Sequence, residues 1–425
     1  MRRDELLRAL RGGALDDRLA AVYGAPAVAD ARARCASVIR GFCARFDPDG
    51  ARELSVFSAP GRTELGGNHT DHQNGFALAA SVDLDTLACV ARAEGRIRVC
   101  SKGHAEAAVD LADLSVRARE LGRSVSLVRG VAAGVAARGY AVAGFDAYTE
   151  TRVLRGSGLS SSAAFEVLLG AILNELCCCG ALTAVELAQI GQYAENVYYG
   201  KPCGLLDQMA CATGGVVGVD FADPQHPQVE HCAVDLDAAG YALVIIDGGV
   251  SHADLSEEYA AIPREMESVA RYFGKDKLRA VDPAAFARER AAVATACGER
   301  AADRAEHFFA ETARAERQFA ALSAGDLPAY LALMRASGAS SEEKLQNVTT
   351  ARPNGDALLR VIERARALAG PDGAARVHGG GFAGTAQALV PAARLADFVA
   401  GMEAALKPGC CHVLHIRSLG PARLI

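Results

Sequence analysis

The sequence predicts an α+β protein of two lobes, and three observations carry that prediction. Strand candidates crowd the first half, helical periodicity fills the second, and 425 residues are enough for two domains. No internal repeat and no low-complexity linker marks the border between them.

Residues 1–50 read as helical, with apolar positions at helical spacing across 30–46. Residues 54–58 alternate as a strand and run into the breaker Ala59-Pro60-Gly61. Short strands are expected at 76–82, 87–93 and 97–101, then a helix at 125–138 and a strand at 145–153. Helices at 163–176 and 184–199 follow, then strands at 216–221 and 242–247 around the turn-rich Asp223-Pro224-Gln225-His226-Pro227. Further helices are expected at 256–273, 283–297, 301–322, 327–337, 355–368 and 393–406. Strands at 387–390 and 412–416 flank the last of them.

Composition narrows the class of function. A hydrophobic share of 51% with 23% charged residues is ordinary for a soluble globular protein. A formal charge of −6 offers no basic excess to neutralise phosphates, which excludes a general nucleic-acid binder. No apolar run reaches a membrane span, and the charges at Arg2, Arg3, Asp4 and Glu5 make the start a surface helix and not a signal peptide. These features predict a cytoplasmic enzyme. The 13 cysteines form no CxxC pair, and the adjacent Cys177-Cys178-Cys179 cannot share one tetrahedral metal. They read as reduced thiols acting as small hydrophobes.

Four segments carry candidate chemistry. The loop Gly156-Ser157-Gly158-Leu159-Ser160-Ser161-Ser162 lies between an expected strand and an expected helix. Glycines there admit close approach of an anion, and helix-start N–H groups point at it. Read alone it is a phosphate cradle or a flexible loop with a serine N-cap; the lysine of a Walker A motif is absent. The segment Pro60-Gly61-Arg62-Thr63-Glu64-Leu65-Gly66-Gly67-Asn68-His69-Thr70-Asp71-His72 packs polar groups at a density that suits a sugar or other polyol. A polar surface turn or a metal site at His69, Asp71 and His72 remains open at this level. Asp207, set among leucines after Gly204, is expected to be partly buried with a cationic partner, as a catalytic carboxylate or in a structural ion pair. Glu195 lies on a helix, solvated or functional. Four glycines between His378 and Gly384 imply close backbone approach to a ligand or to a neighbouring segment.

In this order the segments resemble the GHMP small-molecule kinases, and within them the galactokinases. That family carries a sugar segment of the type GRxNxxGEHxDY, a loop GxGLSSSA, an acidic GxxDQ and a C-terminal GGGFGG loop. Here they stand at 61–72, 156–163, 204–208 and 379–384. The resemblance spans about 54–390 and implies a two-lobed kinase with its active site between the lobes, residues 1–215 forming the N-terminal lobe and 216–425 the C-terminal lobe. It further implies ATP and Mg²⁺ as cofactors, a small sugar as substrate and a monomeric enzyme. Asp207 would face the reacting hydroxyl with Arg62 beside it. Asn68, His69, Asp71, Gly204 and Tyr259 would contact the sugar. Gly156, Ser157, Gly158, Leu159, Ser160, Ser161 and Ser162 would hold the ATP phosphates, with Gly380 and Gly381 shaping the site from the other lobe. Ser162 and Glu195 would hold Mg²⁺.

The departures lie mainly in the sugar segment. Asn68 replaces a glutamate expected to bond the sugar's C6 hydroxyl, while Glu64 stands where the motif has asparagine. His72 replaces tyrosine, Leu154 a proline and Ala383 a glycine. The expected reaction is phosphorylation of galactose at C1. Galacturonate or L-arabinose phosphorylation, and a non-catalytic galactose/ATP sensor, are the alternatives.

Overall fold

The computed structural model describes residues 1–154, 158–249, 255–352, 354–382 and 384–425. Gly156, Ser157 and Ala383, all within the motifs above, lie outside the described residues.

Strand β1 (Ser55–Gly66) does not stop at Ala59-Pro60-Gly61 but runs through it. The register against β2 (Phe76–Ala93) shifts between Pro60 and Arg62, and again between Glu64 and Gly66. A proline lacks the N–H that a regular ladder needs, and a bulge is where a strand tolerates one. The bulge also turns the Arg62 amide onto the Leu159 carbonyl at 3.2 Å, tying this strand to the serine loop. The two strands expected at 76–82 and 87–93 are one continuous β2, pairing first with β6 and then with β5. An eight-stranded sheet results, in the order β12-β1-β2-β5-β3-β4, with β6 and β7 joined through β2. Its remaining members are β3 (Arg96–Ser101), β4 (Ala107–Asp110), β5 (Gly144–Thr151), β6 (Val216–Asp220), β7 (Gln228–Cys232) and β12 (Ala422–Arg423). The second sheet has four strands in the order β11-β8-β10-β9: β8 (Tyr241–Asp247), β9 (Ala374–Val377), β10 (Thr385–Pro391) and β11 (Cys411–Leu414). Strands β4, β7, β9 and β12 were not legible in the sequence; none exceeds five residues, too few for a period to show.

Three helices, α1 (Arg3–Arg11), α2 (Asp16–Tyr23) and α3 (Val28–Phe46), bury Leu6, Leu19, Cys35, Val38 and Phe42 with Val56 and Cys89 of the large sheet. The main core joins that sheet to α4 (Ser124–Ala136), α5 (Ser161–Cys177), α6 (Ala184–Tyr193) and α7 (Leu206–Thr213). The helix expected over 184–199 is interrupted: α6 starts on a reciprocal Thr183–Glu186 cap and passes into a wide π-type turn over Ala194–Tyr199. Such turns gather at functional sites, and this one carries Glu195. Helices α8 (Ser256–Tyr272), α9 (Pro283–Cys297), α10 (Glu299–Ser323) and α11 (Leu327–Ser340) follow, and α10 buries Ala301, Ala305 and Phe308 with α8 and α9. Helices α12 (Ala357–Ala369) and α13 (Leu395–Ala405) pack on the second sheet through Val361, Ile362, Phe398 and Met402. Among the described residues no helix is long and apolar enough to cross a membrane.

Candidate active site

The interior half of β1 is polar, which a central strand cannot sustain without partners. The partners come from the C-terminal half of the chain. Gln387 on β10 donates to Thr63 Oγ1 (2.7 Å) and to the Glu64 carbonyl (2.9 Å). Arg376 on β9 donates to Glu64 Oε1 (2.8 Å) and to its carbonyl (3.1 Å), and the Tyr330 hydroxyl to the Leu65 carbonyl (2.9 Å). On α10, Glu311 accepts from the amides of Gly67 and Asn68, while His307 Nε2 donates to the Asn68 carbonyl at 2.9 Å. The sugar segment is thus strung between two lobes and held by both.

At its start the Arg62 guanidinium meets Asp207 at the first turn of α7. Nε and the second amino nitrogen reach Asp207 Oδ1 at 2.7 and 2.6 Å. Its remaining amino group donates to the Gly158 carbonyl, and the Ser160 hydroxyl donates to Asp207 Oδ2. Serine loop, sugar segment and acid therefore converge on one carboxylate. Burial alone would raise the Asp207 carboxyl, but the charge of Arg62 and the hydrogen bonds from Ser160 and Arg62 outweigh it and hold it below the ordinary value. The Arg62 side chain is 8% exposed and that of Asp207 36%, so the acid is the more open of the two to a ligand.

Asp71 lies beside them. Burial and the like charge of Asp207 push its carboxyl up to about 6. Gly204 faces it so closely that a Cβ there would sit 2.5 Å from the Asp71 Cγ, so only glycine fits without moving the acid. His69 is held neutral by burial, its value near 4, and its Nε2 lies 3.1 Å from the Gly380 carbonyl. A carbonyl only accepts, so Nε2 carries the hydrogen and Nδ1 accepts from His72 Nε2 at 3.3 Å. Both nitrogens of His69 are spent on the protein. Asn68 is fully buried and equally committed: Nδ2 donates to the Glu64 carboxylate (3.2 and 3.3 Å) and to the Gly379 carbonyl (2.8 Å). Its Oδ1 accepts from Ser341 (3.3 Å) and Asn347 (3.0 Å). The exchange of acid and amide within the motif thereby acquires a physical account: Glu64 is the acid because Arg376 faces it.

The glycine-rich turn approaches neighbouring segments. A Cβ on Gly380 would strike the Tyr259 ring at 2.5 Å, and one on Gly381 would lie 2.7 Å from Asn347 Nδ2. The Tyr259 hydroxyl donates to the Gly381 carbonyl at 2.7 Å, and its ring packs edge-on against Phe382. Gly379 lies close to Gly158, so the turn reaches the serine loop as well.

On the other side of that loop, Ser160 sits in the left-handed region (φ 54°) immediately before α5 and makes no side-chain cap to that helix. Ser162 Oγ donates to Glu195 Oε1 at 3.2 Å; Lys201 Nζ donates to the same oxygen at 3.1 Å. Gln208 Nε2 bridges Glu195 and the buried Glu166, at 3.0 Å to each. A hollow of about 600 Å³ opens here, lined among others by Lys102, Ser161, Ser162, Glu195, Tyr199 and Lys201. A second hollow of about 380 Å³, between the N-terminus and β1, contains none of the expected site residues.

The buried clamp of Arg376, Glu311, His307 and Asn347 was not anticipated from the sequence. His307 and Glu311, four residues apart on the buried face of α10, were its one readable signal.

The galactokinase galactose-binding signature matches residues 41–92, and the GHMP kinase N-terminal domain matches residues 126–215. The structure of Lactococcus lactis galactokinase complexed with galactose superposes with a TM-score of 0.76 at 25% identity, covering 90% of this chain and 97% of that one. L. major mevalonate kinase in complex with R-mevalonate (TM-score 0.57, 16% identity, 86% and 96% covered) shares the fold. So does Streptococcus pneumoniae phosphomevalonate kinase (TM-score 0.59, 13% identity, 87% and 99% covered). With its sugar signature and its serine loop meeting at Asp207, the chain is similar to the GHMP kinases and, among them, to the galactokinases.

Proposed function

We propose that this protein transfers the γ-phosphoryl group of ATP to the C1 hydroxyl of α-D-galactose. One observation carries the reading: a single carboxylate, Asp207, is held simultaneously by Arg62 of the sugar segment and Ser160 of the serine loop. A hydroxyl that donates to Asp207 is thereby aimed at whatever the loop holds. Being kept ionised, Asp207 is an acceptor that orients the hydroxyl and takes its proton as the bond to phosphorus forms. The loose transition state of phosphoryl transfer demands little base strength for this. Arg62 stabilises the spreading charge of the transferring group while holding the acid in place. Asp71 and the Gly204 backbone line the ring's other face, and Tyr259 closes the site from α8. His69 orders the segment through Gly380.

ATP phosphates would lie on the 156–162 loop at the α5 N-terminus, with the base in the adjoining hollow. Mg²⁺ would be held by Ser162 and Glu195. Their oxygens lie 3.2 Å apart, and a carboxylate and a hydroxyl are hard oxygen donors of the kind this ion takes. One carboxylate and one hydroxyl suffice when phosphates and water complete the shell. Bound there, the ion would neutralise phosphate charge. The residues proposed for sugar and nucleotide all come from one chain, which supports a monomer, and the chemistry suits the cytoplasm.

The test is ADP release from MgATP across a panel of hexoses, pentoses and uronic acids, with native protein and Asp207→Ala. Galactose should give the highest kcat/KM, and the variant should fold but not turn over. A higher kcat/KM on galacturonate or L-arabinose would replace the substrate. Near-normal kcat in Asp207→Ala would refute the mechanism, and no turnover with any sugar would favour the sensor.

A further inference from the structure

We infer that Asn68 is a positioning residue and not a sugar ligand, and that Glu64, Asn68 and Arg376 act as one unit that joins the lobes and holds the glycine turn and His69 in place. An asparagine amide has two donor hydrogens and two acceptor lone pairs. In Asn68 all of them are spent: one hydrogen on the Glu64 carboxylate, one on the Gly379 carbonyl, and both lone pairs on Ser341 and Asn347. The residue is wholly buried, and its own amide and carbonyl are held by Glu311 and His307. A sugar hydroxyl could bond it only by displacing a buried partner, which would then be left unsatisfied.

The charges explain why the acid stands at 64 and the amide at 68. Arg376 is fully buried and its guanidinium faces Glu64 Oε1 at 2.8 Å. A carboxylate at 68 would lie about 3 Å from that of Glu64 (the donor it would replace is 3.2 Å away), with one arginine to serve both. Two neighbours of the reacting groups depend on this unit. Gly379 is bonded to Asn68, and Gly380 bonds both Asn347 and His69. Movement of Asn68 therefore shifts the glycine turn and His69 together.

The assay rests on the proposed sugar-kinase activity, and compares kcat/KM for D-galactose and L-arabinose. The arabinose pyranose lacks the C6 hydroxymethyl group but keeps the rest of the ring pattern. Asn68→Ala is expected to lower both values in parallel, so that their ratio changes by less than about threefold. A residue that bonded the C6 hydroxyl would move the ratio by tenfold or more, since a lost polar contact is read directly as discrimination. A ratio change above threefold overturns the inference.

A second measurement needs no substrate. Thermal melting of Asn68→Asp, Glu64→Gln and the double variant forms a cycle. The single Asn68→Asp should melt well below the native protein, and the double variant, in which one amide and one carboxylate again face each other across positions 64 and 68, should recover most of the loss. Additive shifts would overturn the inference even if Asn68→Ala does not fold. If the native protein phosphorylates neither sugar, the proposed function falls, and the melting cycle alone decides the positioning unit.

Discussion

Gly204→Ala separates the sugar site from the fold. The Gly204 backbone is outside the left-handed region, so alanine is tolerated by the main chain. Its Cβ would lie 2.5 Å from the Asp71 carboxyl carbon, and closer still to Oδ2. Ordinary carbon contacts are about 3.5–4.0 Å, so the carboxyl must retreat by about 1 Å. Asp71 is the tip of a short side chain at a half-buried position, and it can turn away at little cost to stability. Function is less forgiving, because a misplacement of about 1 Å costs roughly 100-fold in a positioned site. That factor corresponds to about 2.7 kcal/mol of transition-state stabilisation. In a coupled ADP-release assay, kcat/KM for the sugar should fall about 100-fold, while KM for ATP and the melting temperature stay close to native. Native kcat/KM for the sugar would refute the role given to Asp71, and an equal rise in both KM values would refute its restriction to the sugar side.

Two further perturbations probe the charged groups. Burial and Asp207 lift the Asp71 carboxyl from 3.8 to about 6, so the folded protein keeps this proton longer than the unfolded chain. Its contribution to stability is therefore greatest below about pH 4 and is lost as the pH rises towards 6, whereas its acceptor capacity follows the opposite course. The profile of kcat/KM for the sugar should show an acid limb near pH 6 that disappears in Asp71→Asn; a limb surviving that substitution would assign it to another group. Glu195→Gln should raise the Mg²⁺ concentration for half-maximal rate about tenfold or more, about 1.4 kcal/mol, and an unchanged Mg²⁺ titration would remove Glu195 from the metal site.

Function was more legible in this sequence than architecture. Arg62, Asp207 and Ser160 lie far apart in the chain, yet each sits in a short motif whose residue types announce its chemistry, and the structure brings them onto one carboxylate. The long helices were readable because α3 and α10 bury residues at regular helical spacing. Strand β1 was cut short in the reading because Pro60 and Gly61 are breakers in any local window; only pairing with β2 shows that a bulge absorbs them. Arg376 and Glu64 illustrate the remaining gap. They are 312 positions apart, and each alone reads as a surface charge. Only the fold reveals that the acid at 64 is answered by a buried arginine and that Asn68 is consumed by both lobes.

The clamp on residues 63–68 has a mechanical consequence. Sliding one lobe past the other along this seam would strip Glu64 of Arg376 and Asn68 of Asn347, exposing unpaired groups in a dry interior. The seam therefore resists sliding, because every bond across it would have to break without a replacement partner.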